Sequence, residues 1–300
     1  MHGEEVLLEV SHVSKIFPVK KQQLRAVLDV SFTLEKGELL GIVGESGCGK
    51  STLAKMLVGS LPVTSGTMKL SGEEYTKLKG KEKQAFRRKI QMVFQDPLSS
   101  FSPRMKIGTY LAEPRRNFDH VPKQQALAEA EKLLEKVGLP RDFAVRYPHE
   151  LSGGQLQRVA IARAIAISPG LLICDEATGA LDVSVQNQIA QLLVNLIEEQ
   201  NMGCIFIGHD LALVRSVTQR IAVMYLGRIV EKKMTELGNS LMHGDISIKP
   251  YEYEGRKPCE YCEFKNICAY EDGVDQVEKI KKVSLEEGKH ALDQTTAESH

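Results

Sequence analysis

Short apolar runs and helical segments alternate along most of the chain. Three nearly continuous apolar runs predict strands that are buried on both faces: 39–44, 170–175 and 204–210. Segments rich in β-branched and other apolar residues predict two more strands and a hairpin: 6–10, 28–34 and 220–231. Helical composition and spacing predict four helices: 52–58, 126–137, 158–166 and 183–199. This alternation predicts an α/β fold.

The pattern changes at two places. Between residues 96 and 163 helical stretches replace strands, which predicts a mostly helical insert. After residue 233 the periodicity fades, and residues 234–272 form a Cys-rich tail. Residues 273–300 predict a flexible C-terminus with at most a short helix near 275–287. We therefore expect one large domain over residues 1–233, followed by a small irregular tail.

A glycine-rich segment follows the first buried run. Its sequence GESGCGKS, residues 44–51, matches the pattern G-x-x-x-x-G-K-[ST], and a predicted helix starts at Thr52. The glycines let backbone N–H groups turn towards phosphate oxygens, Lys50 adds a positive charge, and Ser51 supplies a hydroxyl for Mg²⁺. The strand before it and the helix after it argue against a chance glycine turn. This segment, the phosphate loop, predicts a nucleotide site.

Polar residues follow two of the apolar runs and a further apolar strand, IQMVF at residues 90–94. Asp175 and Glu176 follow LLIC, where one acid can hold Mg²⁺ and the next can polarise an attacking water. Gln95 follows IQMVF, within reach of Mg²⁺ or water, and His209 follows IFIG, within reach of a γ-phosphate. Taken singly, each is more often an ordinary polar strand end. Together with the phosphate loop, the acidic pair predicts phosphate chemistry.

A second glycine-rich segment also opens a helix. In LSGGQ, residues 151–155, Ser152 is a good N-cap and two glycines expose backbone donors. A single nucleotide does not need two such segments on one chain. This segment, the signature loop, is therefore expected to serve a nucleotide held by a neighbouring molecule.

The ordered set of these motifs resembles the ATP-binding subunit of an ABC transporter: GESGCGKST, Gln95, LSGGQ, LLICDE, Leu181-Asp182 and His209. The resemblance covers residues 4–233, and FQDPLSSFSPRM and ALDVSVQ are similar to the oligopeptide, dipeptide and nickel importer branch. It implies a P-loop NTPase cassette with a RecA-like core, an N-terminal antiparallel β-subdomain and a helical subdomain at 96–163. It also implies that two such subunits pair head to tail around two ATP molecules.

The resemblance implies catalytic roles at the strand ends. Glu176 would be the general base, His209 the γ-phosphate sensor and Gln95 the link to the transmembrane subunits. Mg²⁺ would be held by Ser51, Gln95 and Asp175.

The resemblance also implies the residues that contact ATP. Phe17, just after the first predicted strand, would stack on the adenine. The phosphates would be bound by eight residues: Gly44, Ser46, Gly47, Cys48, Gly49, Lys50, Ser51 and Thr52. Four residues would cap the γ-phosphate at the partner's Lys50: Ser152, Gly153, Gly154 and Gln155. Asp182 would organise the dimer interface.

The chain departs from the family pattern beside two of these residues. The family usually has Pro, Thr and Ser after the general base, whereas Ala177, Thr178 and Gly179 stand here. Gly208 replaces the usual Ser before the histidine. Because glycine loosens the backbone, these changes bear on the hydrolysis rate and not on nucleotide binding.

The tail departs from the importer branch altogether. Three cysteines follow a C-x₂-C-x₅-C spacing: Cys259, Cys262 and Cys268. With its neighbours, this spacing resembles the C-terminal iron–sulfur motif of AddB-type helicase–nuclease subunits. A cluster needs a fourth thiolate, and Cys48, Cys174 and Cys204 are better explained as small apolar residues. Three explanations of the cysteine spacing stay open: an incomplete site, an Fe–S cluster, and a Zn²⁺ site that uses His243. The possibility that the chain is fused from two sources also stays open.

Composition and charge narrow the function classes. Lys plus Arg and Asp plus Glu are both 39, so bulk charge does not support a polyanion-binding protein. No apolar run is long enough to span a bilayer, and the first ten residues do not resemble a signal peptide. We expect a cytoplasmic protein that reaches the inner membrane face through its partners.

The favoured function is an ATP-hydrolysing subunit that powers an importer of peptides, related small solutes or nickel. Its expected cofactors are ATP and Mg²⁺. Its expected partners are a second ATPase subunit, two permease subunits and, indirectly, a solute-binding protein. The alternative is a soluble ABC ATPase or a nucleic-acid-associated protein with an Fe–S type C-terminal module, although nucleic acid is not an expected partner.

Overall fold

The computed structural model describes residues 5–19, 22–98, 101–179, 181–229, 251–252 and 278–279. The chain divides into two compact units, Met1–Met234 and Thr235–His300. The phosphate loop, the signature loop and the polar strand ends all belong to the first unit.

The described part of the first unit contains ten strands: β1 (Val6–Val19), β2 (Gln22–Glu35), β3 (Leu39–Val43), β4 (Ser65–Leu70), β5 (Glu73–Glu74), β6 (Ile90–Val93), β7 (Leu171–Asp175), β8 (Gly203–Gly208), β9 (Arg220–Tyr225) and β10 (Arg228–Ile229). It also contains seven α-helices: α1 (Lys50–Leu57), α2 (Gly80–Lys89), α3 (Ile107–Phe118), α4 (Lys123–Lys136), α5 (Gly153–Ile165), α6 (Val183–Gln200) and α7 (Leu211–Val217). None of these helices is long and apolar enough to cross a membrane.

Six strands form the central sheet in the order β10-β9-β3-β8-β7-β6. All neighbouring pairs are parallel except β9 and β10, which form the predicted hairpin. Alternate residues of β3, β7 and β8 enter two separate apolar cores on opposite faces of the sheet. This double burial explains why the three strands appear in the sequence as unbroken apolar runs.

An antiparallel sheet in the order β2-β1-β4-β5 packs on one face of the central sheet. Its core-facing residues share an apolar cluster with α1, whose buried side chains include Leu53 and Met56. The other apolar core combines residues of these strands with buried residues of α3 to α7, of which α3 to α5 correspond to the predicted helical insert. The expected α/β cassette with an antiparallel subdomain is confirmed.

Element bounds differ from the sequence predictions at several places. β1 extends to Val19, so Phe17 lies within this strand and not after it. The extension was missed because polar residues and three shifts of register between Val10 and Ile16 break the period of two. Three elements between residues 65 and 89, and the short α7, carry little apolar periodicity and were not predicted.

In the second unit, Tyr251–Glu252 (β11) pairs in parallel with Glu278–Lys279 (β12). The helix expected near 275–287 is therefore wrong at residues 278 and 279, where the backbone is paired with another strand. The remaining residues of that prediction lie outside the described part of the chain.

Candidate active site

The lysine of the phosphate loop is folded into the loop itself. Lys50 Nζ donates hydrogen bonds to the carbonyl oxygens of Gly44 at 2.6 Å and Glu45 at 2.8 Å, and the residue is 4% exposed. Its ammonium also lies 3.8 Å from the sulfur of Cys48. Carbonyl oxygens are neutral acceptors, so phosphate oxygens that enter the loop would be stronger partners for this charge.

Close contacts require glycine at two positions of this loop. A Cβ on Gly44 would lie 2.1 Å from the carbonyl oxygen of Met224. A Cβ on Gly49 would lie 2.2 Å from the carbonyl oxygen of Ala26, and Gly49 has a left-handed φ of 111°. The loop therefore packs directly against the backbone of β2 and β9, and no side chain fits between them.

Helix α1 begins at this loop without a side-chain cap. Its N-cap residue is Gly49, and its first intrahelical bond runs from Leu53 N to Gly49 O at 2.9 Å. The N–H groups of residues 50–52 therefore have no acceptor within the helix. Ser46 and Gly47 leave the loop open to solvent. These free donors, the helix dipole and Lys50 together favour a bound anion.

The hydroxyl of the phosphate loop meets the acid at the end of β7. Ser51 Oγ donates to Asp175 Oδ1 at 3.2 Å, and Asp175 is buried. Burial raises the pKa of Asp175, and the Ser51 hydrogen bond opposes that rise. A carboxylate and a hydroxyl beside a phosphate loop are oxygen ligands of the kind that Mg²⁺ takes together with phosphates and water. The two residues fit that ion.

Glu176 and His209 lie close together at the same edge of the sheet. Glu176 has a left-handed φ of 47°, and its N–H donates to the carbonyl oxygen of Ile207 at 2.9 Å. Because Asp175 pairs with Ile207, Glu176 stands level with the end of β8, and it lines one small cavity with His209. A left-handed φ is uncommon for a residue with a side chain, and such residues cluster at functional sites.

Gln95 lies at this edge of the sheet but has no described bond to the acids. It is exposed, two residues beyond β6, which pairs in parallel with β7. Within the described chain no hydrogen bond joins it to Ser51 or Asp175. Its predicted Mg²⁺ contact remains a prediction.

The signature loop is capped by its own side chains. Ser152 is the N-cap of α5; its Oγ accepts from Gln155 N at 3.4 Å, and Gln155 Oε1 accepts from Ser152 N at 2.9 Å. Gly153 and Gly154 keep unbonded N–H groups, because the first intrahelical bond starts at Leu156. The predicted N-cap is confirmed, and two donors remain for an anion.

The remaining predicted site residues have structural partners of their own. Asp182 is the exposed N-cap of α6 and accepts from Val185 N at 3.0 Å. Phe17 is half-buried and pairs with Leu24 on β2, two residues from the Ala26 carbonyl that contacts the phosphate loop. Phe17 is therefore near the loop in the sheet, and its adenine contact stays a prediction.

The glycines that depart from the family pattern differ in their surroundings. A Cβ on Gly208 would lie 2.9 Å from Val214 Cγ2, so a larger residue needs a shift of that side chain. A Cβ on Gly179 would make ordinary contacts with Glu176 and, at 3.6 Å, with His209 Cε1. Position 179 thus has room for the family's serine, whereas position 208 is filled by its neighbour.

Gln186 belongs to the site and was not singled out from the sequence. Its Nε2 donates to the carbonyl oxygens of Thr178 at 3.0 Å and Leu181 at 3.1 Å. One polar residue on an amphipathic helix has no distinguishing sequence signal. Only the fold shows that it contacts the segment after Glu176.

The cysteines of the first unit are core residues. Cys174 and Cys204 are fully buried on neighbouring strands, and Cys48 is 7% exposed. The hydrogen bond with Cys174, together with burial, raises the pKa of Cys204 well above its usual range. Cys259, Cys262, Cys268 and His243 lie outside the described residues. Among the described residues, no cluster of three His, Cys, Asp or Glu side chains is placed to hold a metal ion.

The sequence that forms this site matches a known family of proteins. The family model described as "ABC transporter" matches residues 27–179, which include the phosphate loop, the signature loop, Asp175 and Glu176. This chain belongs to the ABC transporter family. The match covers half of the chain and stops short of His209.

Relatives of this ABC chain carry names from peptide transport. The chain is 49% identical over 234 residues to the "probable peptide ABC transporter ATP-binding protein" of Sinorhizobium fredii, an alignment that covers 76% of this chain but only 66% of that protein. It is 45% identical to the oligopeptide transport ATP-binding protein OppF of Haemophilus influenzae, over 77% of this chain and 72% of the relative. The chain therefore spans just under two thirds of the Sinorhizobium protein.

Solved ABC cassettes share the fold. The dimeric structure of MJ0796, a bacterial ABC transporter cassette, matches with a TM-score of 0.68 and 30% identity over 74% of this chain and 96% of that one. A post-hydrolysis state of the same cassette, bound to ADP and Pi, matches with a TM-score of 0.67.

Proposed function

We propose that this chain is the ATP-hydrolysing subunit of an ABC importer for peptides or related small solutes. The observation that carries the proposal is the arrangement around the phosphate loop. Lys50 and three free N–H groups surround one anion site, Ser51 bonds Asp175 beside it, and Glu176 lies with His209 at the same edge of the sheet.

Each of these residues has a separate task in the proposed reaction. Lys50 and the N-terminus of α1 orient the phosphates and balance their charge. Mg²⁺ held by Ser51 and Asp175 would neutralise charge that develops on the transferred phosphoryl group. Glu176 accepts a proton from the attacking water, and His209 positions the γ-phosphate.

The proposed partners follow from the same site. The signature loop offers two free N–H groups at an exposed helix start, which suits a phosphate carried by a second subunit. Two permease subunits would complete the importer, and the chain would act at the inner membrane face through them. The peptide-transport names of its relatives support this choice of solute.

The test compares Glu176→Gln with Glu198→Gln in the full chain. Both variants remove one carboxylate charge, but Glu198 is exposed at the opposite end of α6, about 24 Å along the helix from Asp182. We expect Glu176→Gln to bind ATP, to lose about 100-fold in hydrolysis rate, and to accumulate as an ATP-bound dimer in size-exclusion chromatography. Glu198→Gln should behave as the parent does.

The outcomes separate the parts of the proposal. Hydrolysis by Glu176→Gln at the parent rate overturns the general-base role. A parent chain that does not hydrolyse ATP overturns the ATPase function. Uptake of a labelled oligopeptide, in cells that lack this chain, should return with the parent and with Glu198→Gln only; uptake without the chain overturns the peptide-import role.

A further inference from the structure

We infer that Gln186 is a positioning residue that clamps the segment after Glu176, and that it controls the rate of ATP turnover and not ATP affinity. The inference rests on the proposed ATPase function. It assigns a role to a residue that is neither in the phosphate loop nor among the acids.

The clamp consists of two hydrogen bonds from one side-chain amide. Gln186 Nε2 donates to the carbonyl oxygens of Thr178 at 3.0 Å and Leu181 at 3.1 Å. The Gln186 backbone N–H donates to Asp182 O at 2.9 Å, so Gln186 is itself fixed in the first turns of α6. Both N–H groups of the amide are thus used to join a helix to the turn that precedes it.

Among the described residues, few other hydrogen bonds hold the clamped segment. Glu176 is in a left-handed conformation, which is costly for a residue with a side chain. Ala177 and Thr178, which follow it, are buried, whereas Gly179 is exposed. The bonds among the described residues of this turn are short-range, such as Gly179 N to Glu176 O at 3.0 Å. Gln186 supplies a connection from the turn to a long, well-packed helix.

The clamped segment lies beside two parts of the proposed ATP site: the pair Glu176 and His209, and the signature loop. Gln186 lines the small cavity that Glu176 and His209 share. On its other side, Leu181 Cδ2 lies 3.5 Å from where a Cβ of Gly153 would be, so the segment also packs on the signature loop. A shift of the turn would therefore displace Glu176 relative to His209, while Lys50 and the phosphate loop would keep their places.

The chemistry of the contacts makes specific variants informative. Both acceptors are carbonyl oxygens, so the residue at position 186 must donate. Glu has the shape of Gln but, when ionised, has no donor, and it adds a negative charge. Met keeps the length without any polar group. Lys restores N–H donors on a flexible chain, and so it is the rescue variant.

The experiment measures kcat and KM for ATP together with the affinity for a fluorescent ATP analogue. We expect Gln186→Met and Gln186→Glu to lower kcat by roughly tenfold or more, with KM and analogue affinity within about twofold of the parent. Gln186→Lys should recover most of the loss. Gln191→Met, an exposed glutamine of the same helix that bonds only Asn195 in the described structure, is the control and should match the parent.

An unchanged kcat in Gln186→Met, or a loss in ATP affinity equal to the loss in kcat, overturns the inference. Hydrogen exchange of the amides of residues 177–182 provides a readout without hydrolysis. We expect faster exchange there in Gln186→Met and not in Gln191→Met. Equal exchange overturns the clamp even if the parent is an active ATPase, whereas faster exchange in an inactive parent overturns only the proposed function.

Discussion

The phosphate loop and the signature loop are both glycine-rich helix starts, yet their backbone N–H groups differ in their partners. At α1 no side chain caps the helix, and the N–H groups of residues 50–52 are unbonded within it. At α5, Ser152 and Gln155 bond each other's N–H groups and leave only two donors. Lys50 is buried within the first loop, whereas Ser152 and Gly153 are exposed.

This difference shows that a glycine-rich helix start is not one kind of anion site. A loop with three free donors and a buried ammonium is poised for a highly charged ligand in the same chain. An exposed helix start that is capped by its own side chains is stable without a ligand, and it suits a ligand carried by another molecule. The three predictions below test this distinction, and the largest expected effect comes first.

Loss of the lysine charge should have the largest effect on nucleotide binding. We expect Lys50→Ala to weaken ATP affinity by about 100-fold, because the buried Lys50 ammonium no longer makes charge-assisted bonds to the phosphates. Fluorescence titration of the dilute, monomeric chain measures this. Lys132→Ala, an exposed lysine of α4, serves as the control. Equal ATP affinities for Lys50→Ala and the parent would show that the buried ammonium does not set the phosphate loop apart from the signature loop.

Alanine at one glycine of each loop should affect stability unequally. Gly49→Ala places a Cβ 2.2 Å from Ala26 O at a left-handed φ, so we expect the free energy of unfolding to fall by about 2 kcal/mol. In Gly153→Ala the nearest atom lies 3.5 Å away, and the change should stay within about 0.5 kcal/mol. Urea denaturation of both variants checks this. Similar losses at the two glycines would show that the loops are packed alike.

Removal of the N-cap should have the smallest effect on stability. We expect Ser152→Ala to lower the free energy of unfolding by about 1 kcal/mol, because α5 loses its cap, and Ser152→Asn to retain most of it. ATP affinity of the dilute monomer should stay within about twofold, while the ATP-dependent dimer weakens. Titration and size-exclusion chromatography measure the two quantities. A large fall in the monomer's ATP affinity contradicts a role for the signature loop on the partner's nucleotide.

Much of the fold could be predicted because its central strands have an unusual pattern. β3, β7 and β8 are apolar at successive positions, since both faces of the sheet are covered. The start of α5 could be predicted from Ser152, a good N-cap that precedes two glycines. β1 could not be followed past its bulges, and the elements between residues 65 and 89 carry too little periodicity.

The sequence by itself determined the candidate site residues: the lysine and serine of the phosphate loop, the two acids at the end of β7 and the histidine after β8. Motif spacing and residue type were enough to single them out, because both are read along the chain. Only the tertiary structure decided that Glu176 stands level with the end of β8 and that the Ser51 hydroxyl donates to Asp175. It alone shows that Gln186 bonds the turn between Glu176 and α6. These contacts join residues from separate strands and helices, and their geometry depends on strand register and helix packing.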